Sequence, residues 1–270
     1  MIRPDPVFER RRDEAGVPSW LPVGHTSVPF LLHIAIPLQT LGGAAKLDRV
    51  SAILGGASMA PLPGPLVRAA DHLAGYGHDW ALCGGWAVDV LLGRQTRDHL
   101  DVDIAVFQED QAELRSHLHG WRLVGHDDAV AEDCPDQWDG RWLDVPGHIH
   151  ANTATMDGTE LDIQICSRVD DAWVLSDDPH VALPMSATHG IAPWGRLPVV
   201  SAPIILYYKA VPPRWRAKPD DPQPPRRPKD EADFTALLPF LAPQQRTWLH
   251  EAITAGQPDH DWLRRLLARG

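Results

Sequence analysis

The sequence predicts an α/β (α+β) fold, a mixed sheet flanked by helices and followed by a C-terminal helical region. Between residues 59 and 200, short apolar or alternating segments, typical of strands, take turns with amphipathic segments of helical period. After residue 200 the periodic segments are helical only. Apolar residues make up 44% of the 270 residues, so the chain can bury a substantial core.

Proline and glycine mark the first elements. Pro65 suits the first turn of a helix, because its missing N–H is not needed there. The apolar run 80–83 indicates a short buried strand. Gly84 and Gly85 then turn the chain into a second helix, which is predicted to end at Gly93.

Two later strands are predicted from alternation. Residues 101–107 alternate carboxylates with apolar residues and then become wholly apolar, as in a strand that enters a core. Residues 160–166 place Leu161, Ile163 and Ile165 on one face. Between these two strands, the sequence predicts a helix at 110–118, a strand at 121–124 and an irregular acidic loop at 126–148.

The C-terminal region is predicted to be helical apart from a proline-rich, charged loop at 212–228. Asp230 is expected to cap the helix that follows this loop. The other helices are predicted at residues 202–211, 244–253 and 261–267. Prolines interrupt every candidate element before residue 59. The predicted division is therefore a poorly ordered N-terminal extension, a sheet domain and a helical region, at residues 1–58, 59–200 and 201–270.

Charge and composition narrow the partners and the compartment. The net charge of −11 argues against a nucleic-acid-binding surface. The most apolar stretch, 28–38, is too short to span a membrane, and it lacks the cleavage site of a signal peptide. Cys83, Cys134 and Cys166 form no spacing motif, which fits reduced thiols. A cytoplasmic protein with no membrane partner is expected.

The strongest functional signal combines a glycine turn with a pair of carboxylates. Asp101 and Asp103 are two residues apart on a predicted strand, so both side chains leave the same face. Carboxylates placed in this way can share Mg²⁺ ions, which prefer oxygen ligands and substrate phosphates. At the Gly84–Gly85 turn the backbone can approach phosphate oxygens, and the helix N-terminus attracts them.

These residues resemble the nucleotidyltransferase superfamily with the polymerase-β-like fold. They are similar to the aminoglycoside and lincosamide nucleotidyltransferases, including the aminoglycoside 2''-adenylyltransferases. Those families carry Gly-Gly-Trp-Ala-x-Asp followed by Gly-Arg-x-Thr-Arg-x-His-x-Asp-x-Asp. The matching positions here are Gly84, Gly85, Trp86, Ala87, Asp89, Gly93, Arg94, Thr96, Arg97, His99, Asp101 and Asp103. The resemblance implies a minimal nucleotidyltransferase sheet in the catalytic domain at 59–200.

The resemblance also implies a mechanism with two Mg²⁺ ions and ATP as a substrate, in which Asp101 and Asp103 are metal ligands. A third carboxylate is expected on a later strand, where it would bind metal and accept the proton of the acceptor hydroxyl. Asp162 fits this role because both of its neighbours are apolar, and Glu160, on the same predicted face, is the alternative.

A basic block after the sheet resembles the Lys…Arg-x-Lys-Asp-x-x-Asp pattern of these families. Lys209 and Lys229 would neutralise charge on the leaving pyrophosphate, with Gly84, Gly85 and Arg97 also contacting nucleotide. The chain has only four lysines, which favours a function for Lys209. Lys229 can equally be a surface residue of a capped helix, and His99 is expected to pack and hydrogen-bond rather than to catalyse.

The predicted acceptor is a small hydroxylated molecule, and the family analogy suggests an aminoglycoside, as in antibiotic resistance. Acidic residues of the loop could attract such a polycation, and two tryptophans could line its pocket. These residues are Asp127, Asp128, Glu132, Asp133, Asp136, Asp139, Trp138 and Trp142. The alternatives are a nucleotidyltransferase toxin acting on tRNA or protein, and a nucleotide-binding module without turnover.

A zinc site is not predicted from the sequence. His148 and His150 lie close together, but no cysteine or further histidine completes a site at ligand spacing.

Overall fold

The computed structural model describes residues 8–12, 18–22, 61–127, 137–153, 160–176, 178, 181–190, 194, 197–211 and 227–268. The chain divides into two units, 1–57 and 58–270. In the first unit, β1 (Phe8–Arg12) and β2 (Pro18–Pro22) pair antiparallel. The prolines of β2 stand at its two ends, where a strand tolerates them. This pair lies within residues 1–58, which were predicted to lack regular elements. The predicted boundary at residue 58 lies outside the described residues.

The second unit contains the sheet and the helices predicted from the sequence. The elements up to the sheet's far edge are α1 (Gly64–His72), β3 (Trp80–Leu82), α2 (Gly84–Leu92), β4 (Val102–Phe107), α3 (Gln111–His117) and β5 (Arg122–His126). The later elements are β6 (Gly147–Asn152), β7 (Glu160–Val169), β8 (Ala172–Val174), β9 (Ala182–Pro184), α4 (Ala202–Ala210), α5 (Pro228–Leu237), α6 (Pro243–Gly256) and α7 (Trp262–Leu267).

The sheet is mixed, which confirms the predicted fold class. Its strands lie in the order β3-β4-β7-β6-β5, and β8 and β9 extend it from the C-terminal half of β7. Strands β4 and β7 run parallel, whereas the other pairs are antiparallel. A parallel pair needs a long crossover connection, and the elements between these two strands supply it.

Strands β6, β8 and β9 were not predicted. β6 begins in the segment 126–148, which was expected to be irregular, and extends past it to Asn152. It becomes a strand through pairing on both sides, with β5 and β7. Its existence therefore depends on neighbours that are distant in sequence.

The core lies between the sheet and the helices. Leu82, Ile104 and Ile163, from three different strands, are fully buried. In the C-terminal region, the rings of Phe234 and Trp262 stack at a centroid distance of 4.0 Å. Among the described residues, no helix has the length and apolarity needed to cross a lipid bilayer.

Candidate active site

Carboxylates from neighbouring strands meet on one face of the sheet. Asp103 of β4 and Asp162 of β7 are register partners in the parallel pair, so their side chains leave the same face side by side. Asp101 lies just before β4, and all three residues line one cavity of about 1180 Å³. Gln164, two residues along β7, donates a hydrogen bond of 2.9 Å from Nε2 to Asp162 Oδ1. Glu160 begins β7, and its side chain lies outside the described residues.

The glycine turn fits closely around this acidic group. Gly84 has φ +60°, in the left-handed region that side chains disfavour. A Cβ atom at Gly84 would lie 2.7 Å from the Cβ atom of Asp103, so only glycine permits this approach. A Cβ atom at Gly85 would lie 2.7 Å from Nδ1 of His99. Both glycines line the cavity at the N-terminus of α2, where backbone N–H groups favour anions.

The rest of the glycine–tryptophan motif is a scaffold for the loop that precedes β4. Asp89 of α2 is fully buried and accepts hydrogen bonds from the Thr96 backbone N–H, at 3.1 Å, and from the Thr96 hydroxyl. His99 Nε2 lies 2.7 Å from Asp89 Oδ2, and its ring packs against Trp86 at 4.3 Å. The expectation that His99 packs and hydrogen-bonds is therefore confirmed. These contacts position the chain that carries Arg97 and Asp101.

Lys209 lies in the same cavity and holds two buried carboxylates. Its Nζ atom is 3.1 Å from Asp230 Oδ1 and 2.8 Å from Asp233 Oδ2. The side chains of all three residues are at most 8% exposed. Asp230 was expected to cap α5, but this prediction is wrong. Pro228 starts the helix earlier, and Arg227 occupies the N-cap position. Asp230 instead joins α5 to α4 through its ion pair with Lys209.

Further cations complete this side of the cavity. Arg227 donates to both carboxylate oxygens of Asp230, at 2.7 and 3.2 Å, and Arg97 Nη2 lies 3.8 Å from Asp233 Oδ2. Burial opposes ionisation of Asp230, but the hydrogen bonds and charges of Arg227 and Lys209 outweigh it and lower the pKa of this carboxyl. Lys229 is exposed beside them. Its pKa is lowered by desolvation and by the nearby charges of Arg227 and Arg97. The cavity is thus lined both by carboxylates and by cations.

Sequence reasoning did not single out Arg227 or Asp233 as site residues. Both belong to the Arg-x-Lys-Asp-x-x-Asp block, so the spacing of that block was the signal that could have identified them. Arg227 lines the cavity, and Asp233 lies behind Lys209.

The cysteine beside the turn is a packed thiol, as the sequence predicted. Burial raises the pKa of Cys83 well above its ordinary value, and the charge of Asp103 raises it further. Burial also raises the pKa of Cys166. Because a thiol with a raised pKa stays protonated, neither residue is suited to act as a nucleophile.

The acidic loop differs from its predicted role where the structure describes it. Asp127 is buried and accepts two hydrogen bonds from Arg141, at 2.9 and 3.0 Å, so its charge is already paired. Trp138 is part of the core and donates from Nε1 to the Arg141 carbonyl, whereas Trp142 is 55% exposed. Neither tryptophan lines the cavity. The other predicted loop residues, Asp128, Glu132, Asp133 and Asp136, lie outside the described residues, and Asp139 is exposed.

Solved structures resemble this chain at low sequence identity. The solution structure of the antibiotic-resistance factor ANT(2'')-Ia is 19% identical, with a TM-score of 0.45, and the match covers 81% of this chain and 96% of that chain. The crystal structure of ANT(2'')-Ia with adenylyl-2''-tobramycin is 19% identical, with a TM-score of 0.43, and the match covers 77% of this chain and 98% of that chain. The crystal structure of the lincosamide antibiotic adenylyltransferase LnuA with lincomycin bound is 18% identical, with a TM-score of 0.42, and the match covers 65% of this chain and 96% of that chain. The comparison with curated proteins found no match.

Part of the sequence matches a known family. The family model described as aminoglycoside-2''-adenylyltransferase matches residues 65–178. The match includes the glycine turn and the carboxylates Asp101, Asp103 and Asp162, and it ends before Lys209. Residues 65–178, which are less than half of the chain, are therefore similar to the aminoglycoside-2''-adenylyltransferase family.

Proposed function

We propose that this protein transfers AMP from ATP to a hydroxyl group of a small acceptor and releases pyrophosphate. The observation that carries the proposal is the pairing of Asp103 with Asp162 in a cavity that Lys209 also lines. A triphosphate with bound Mg²⁺ needs both kinds of group, because oxygen ligands hold the metal and cations hold the phosphates.

The donor set suits Mg²⁺. Asp101, Asp103 and Asp162 offer the hard carboxylate oxygens that this ion prefers, and a side chain at Gly84 would fill the space beside Asp103. These three residues would hold two Mg²⁺ ions jointly with phosphate oxygens. When bound, the ions would stabilise negative charge on the attacking and leaving oxygens.

The protein's own residues then account for the rest of the reaction. Asp162 accepts the proton of the acceptor hydroxyl as its oxygen attacks the α-phosphorus. The bond between the α-phosphorus and the bridging oxygen breaks, and pyrophosphate leaves with that electron pair. Lys209, Lys229 and Arg97 stabilise the charge that develops on this leaving group. Gly84 and Gly85 let the backbone contact the phosphates.

The family analogy extends to the acceptor. LnuA was solved with lincomycin, and ANT(2'')-Ia with adenylyl-2''-tobramycin. We propose an aminoglycoside-like acceptor, and this part rests on the match of residues 65–178 to the aminoglycoside-2''-adenylyltransferase family model.

The purified chain should release pyrophosphate from ATP only when Mg²⁺ and a suitable acceptor are both present. A panel of aminoglycosides, with lincomycin as a second acceptor class, is incubated with ATP, and products are read by mass spectrometry for a gain of one AMP. Reactions without acceptor, or with EDTA, are the controls. Transfer of labelled AMP to tRNA or protein instead would indicate a toxin-like enzyme. ATP binding without release of pyrophosphate under every condition would contradict enzymatic turnover.

Replacing Gly84 with Ala should reduce turnover by about 100-fold or more, because the new Cβ atom displaces Asp103, and misplacement by about 1 Å can have this effect. Gly77→Ala is the matched control, since a Cβ atom there meets nothing within 4 Å. Turnover is measured as pyrophosphate release, and thermal unfolding is followed in parallel. Normal turnover in Gly84→Ala would show that the close approach of Asp103 is unnecessary.

A further inference from the structure

Three histidines from neighbouring strands lie together at the far edge of the sheet. His126 of β5 and His148 of β6 are register partners in the antiparallel pair. His150 lies two residues further along β6, so it shares their face. His126 therefore supplies the third imidazole that the spacing along the sequence lacked.

The three rings are close and largely shielded from water. One ring nitrogen from each residue lies no more than 4.8 Å from those of the other two. Ring centroids are 4.7 Å apart for His126 and His148, 5.1 Å for His126 and His150, and 4.9 Å for His148 and His150. His126 and His148 are 5% and 3% exposed, and His150 is partly buried.

This geometry suits a metal ion bound by nitrogen. Imidazole is a preferred ligand of zinc, copper, nickel and iron ions, and three protein ligands with an open fourth position form one common class of zinc site. Zinc–nitrogen distances of about 2.1 Å place tetrahedral ligand atoms about 3.4 Å apart, so ring movements of about 1 Å would bring these nitrogens onto one ion.

We propose that His126, His148 and His150 form a binding site for a divalent transition metal of the zinc type. The site is separate from the proposed magnesium site in its ligands, because nitrogen donors favour zinc-type ions and carboxylate oxygens favour Mg²⁺. It is nevertheless on the same face of the sheet, since His150 is the register partner of Asp162.

A metal at this position would join the edge strand β5 to β6. Among the described residues, β5 is the last strand of the order β3-β4-β7-β6-β5 and pairs only with β6. An ion held by one residue of β5 and two residues of β6 binds only when this pairing is formed. Because it binds the folded chain in preference to the unfolded chain, it raises the melting temperature.

Cobalt(II) tests the site directly, because its visible absorption reports tetrahedral nitrogen ligands. The full chain, stripped of metal with a chelator, is titrated with Co²⁺ and then with Zn²⁺. The wild type should bind one Co²⁺ with visible bands that one equivalent of Zn²⁺ removes, and Zn²⁺ should raise its melting temperature. His126→Ala, His148→Ala and His150→Ala should each lower the affinity at least 10-fold. His119→Ala, which removes an exposed histidine outside the cluster, should bind like the wild type.

Two further variants keep the result decisive. His150→Gln changes the most exposed member of the cluster and keeps a polar side chain, so it should fold and still lose Co²⁺ affinity, with folding checked by circular dichroism. Asp101→Asn removes a carboxylate of the other site and should leave the cobalt spectrum unchanged. The inference is overturned if the folded wild type binds no Co²⁺, if the histidine variants bind it like the wild type, or if Asp101→Asn abolishes the spectrum. None of these outcomes depends on nucleotidyl transfer.

Discussion

Asp162→Asn should lower the turnover of this chain by several orders of magnitude while leaving binding of magnesium-ATP largely intact. The substitution removes the proposed proton acceptor and one metal contact, but Asp101 and Asp103 remain. General base catalysis alone contributes about 10²–10⁴-fold, and disturbance of the metal adds to this effect. The fold should survive, because the amide oxygen of Asn can still accept the Gln164 hydrogen bond.

The comparison with the other carboxylates separates metal binding from proton transfer. Asp101→Asn and Asp103→Asn should each abolish turnover and also weaken binding of magnesium-ATP, because both proposed ions lose a shared ligand. Binding is measured by calorimetry and turnover by pyrophosphate release. Asp71→Asn, an exposed position on α1, is the matched control and should behave like the wild type.

The pH dependence sharpens this test. If Asp162 is the base, activity of Asp162→Asn should recover as the pH rises, because hydroxide can then take the proton. Near-normal turnover in Asp162→Asn would show that another group is the third carboxylate. Glu160→Gln would then be the next variant, since Glu160 is the alternative on the same strand.

Lys209→Met should both destabilise the protein and abolish turnover. It leaves Asp230 with Arg227 as an ion-pair partner, and Asp233 with Arg97 at 3.8 Å. Removing one member of a buried ion pair costs about 3–5 kcal/mol, because the remaining charge stays buried. Unfolding in urea at pH 7 measures the loss, and pyrophosphate release measures turnover.

A compensated variant distinguishes the structural role of Lys209 from its proposed role towards phosphate. In Lys209→Met, the Asp233 carboxylate loses its nearer cation and keeps only Arg97 at 3.8 Å. Adding Asp233→Asn removes this carboxylate charge and should recover a large part of the stability. Turnover should stay absent, because no cation replaces Lys209 near the leaving pyrophosphate. Recovery of turnover together with stability would mean that Lys209 only holds α5 to α4.

Acid should weaken this junction in a defined direction. The pKa of Asp230 is lowered in the folded protein, so its contribution to stability is complete above the unfolded-state pKa of about 3.9 and is lost as the pH falls through the folded value. The loss of stability in Lys209→Met is therefore measured at neutral pH, where Asp230 is ionised.

The sequence by itself determined the acidic half of the candidate site. Asp101 and Asp103 are two residues apart on a predicted strand, which is a local pattern. Asp162 was proposed because the family resemblance implies a third carboxylate and the alternation around this residue predicts a strand. The Gly84–Gly85 turn was equally visible, because the glycine pair stands between a predicted strand and a predicted helix. A sheet domain with a helical C-terminal region followed from the same periodicities, the resemblance added that the sheet is mixed, and the structure confirms both.

Only the tertiary structure decided which distant residues meet. His126 reaches His148 through the register of β5 and β6, Asp127 is paired with Arg141, and Asp230 binds Lys209 instead of capping its helix. Periodicity reports which way a side chain points from its own strand or helix, whereas strand register and helix packing decide what it faces. Strand register and helix packing depend on the burial of the whole core, so they cannot be predicted from the spacing of residues along the chain.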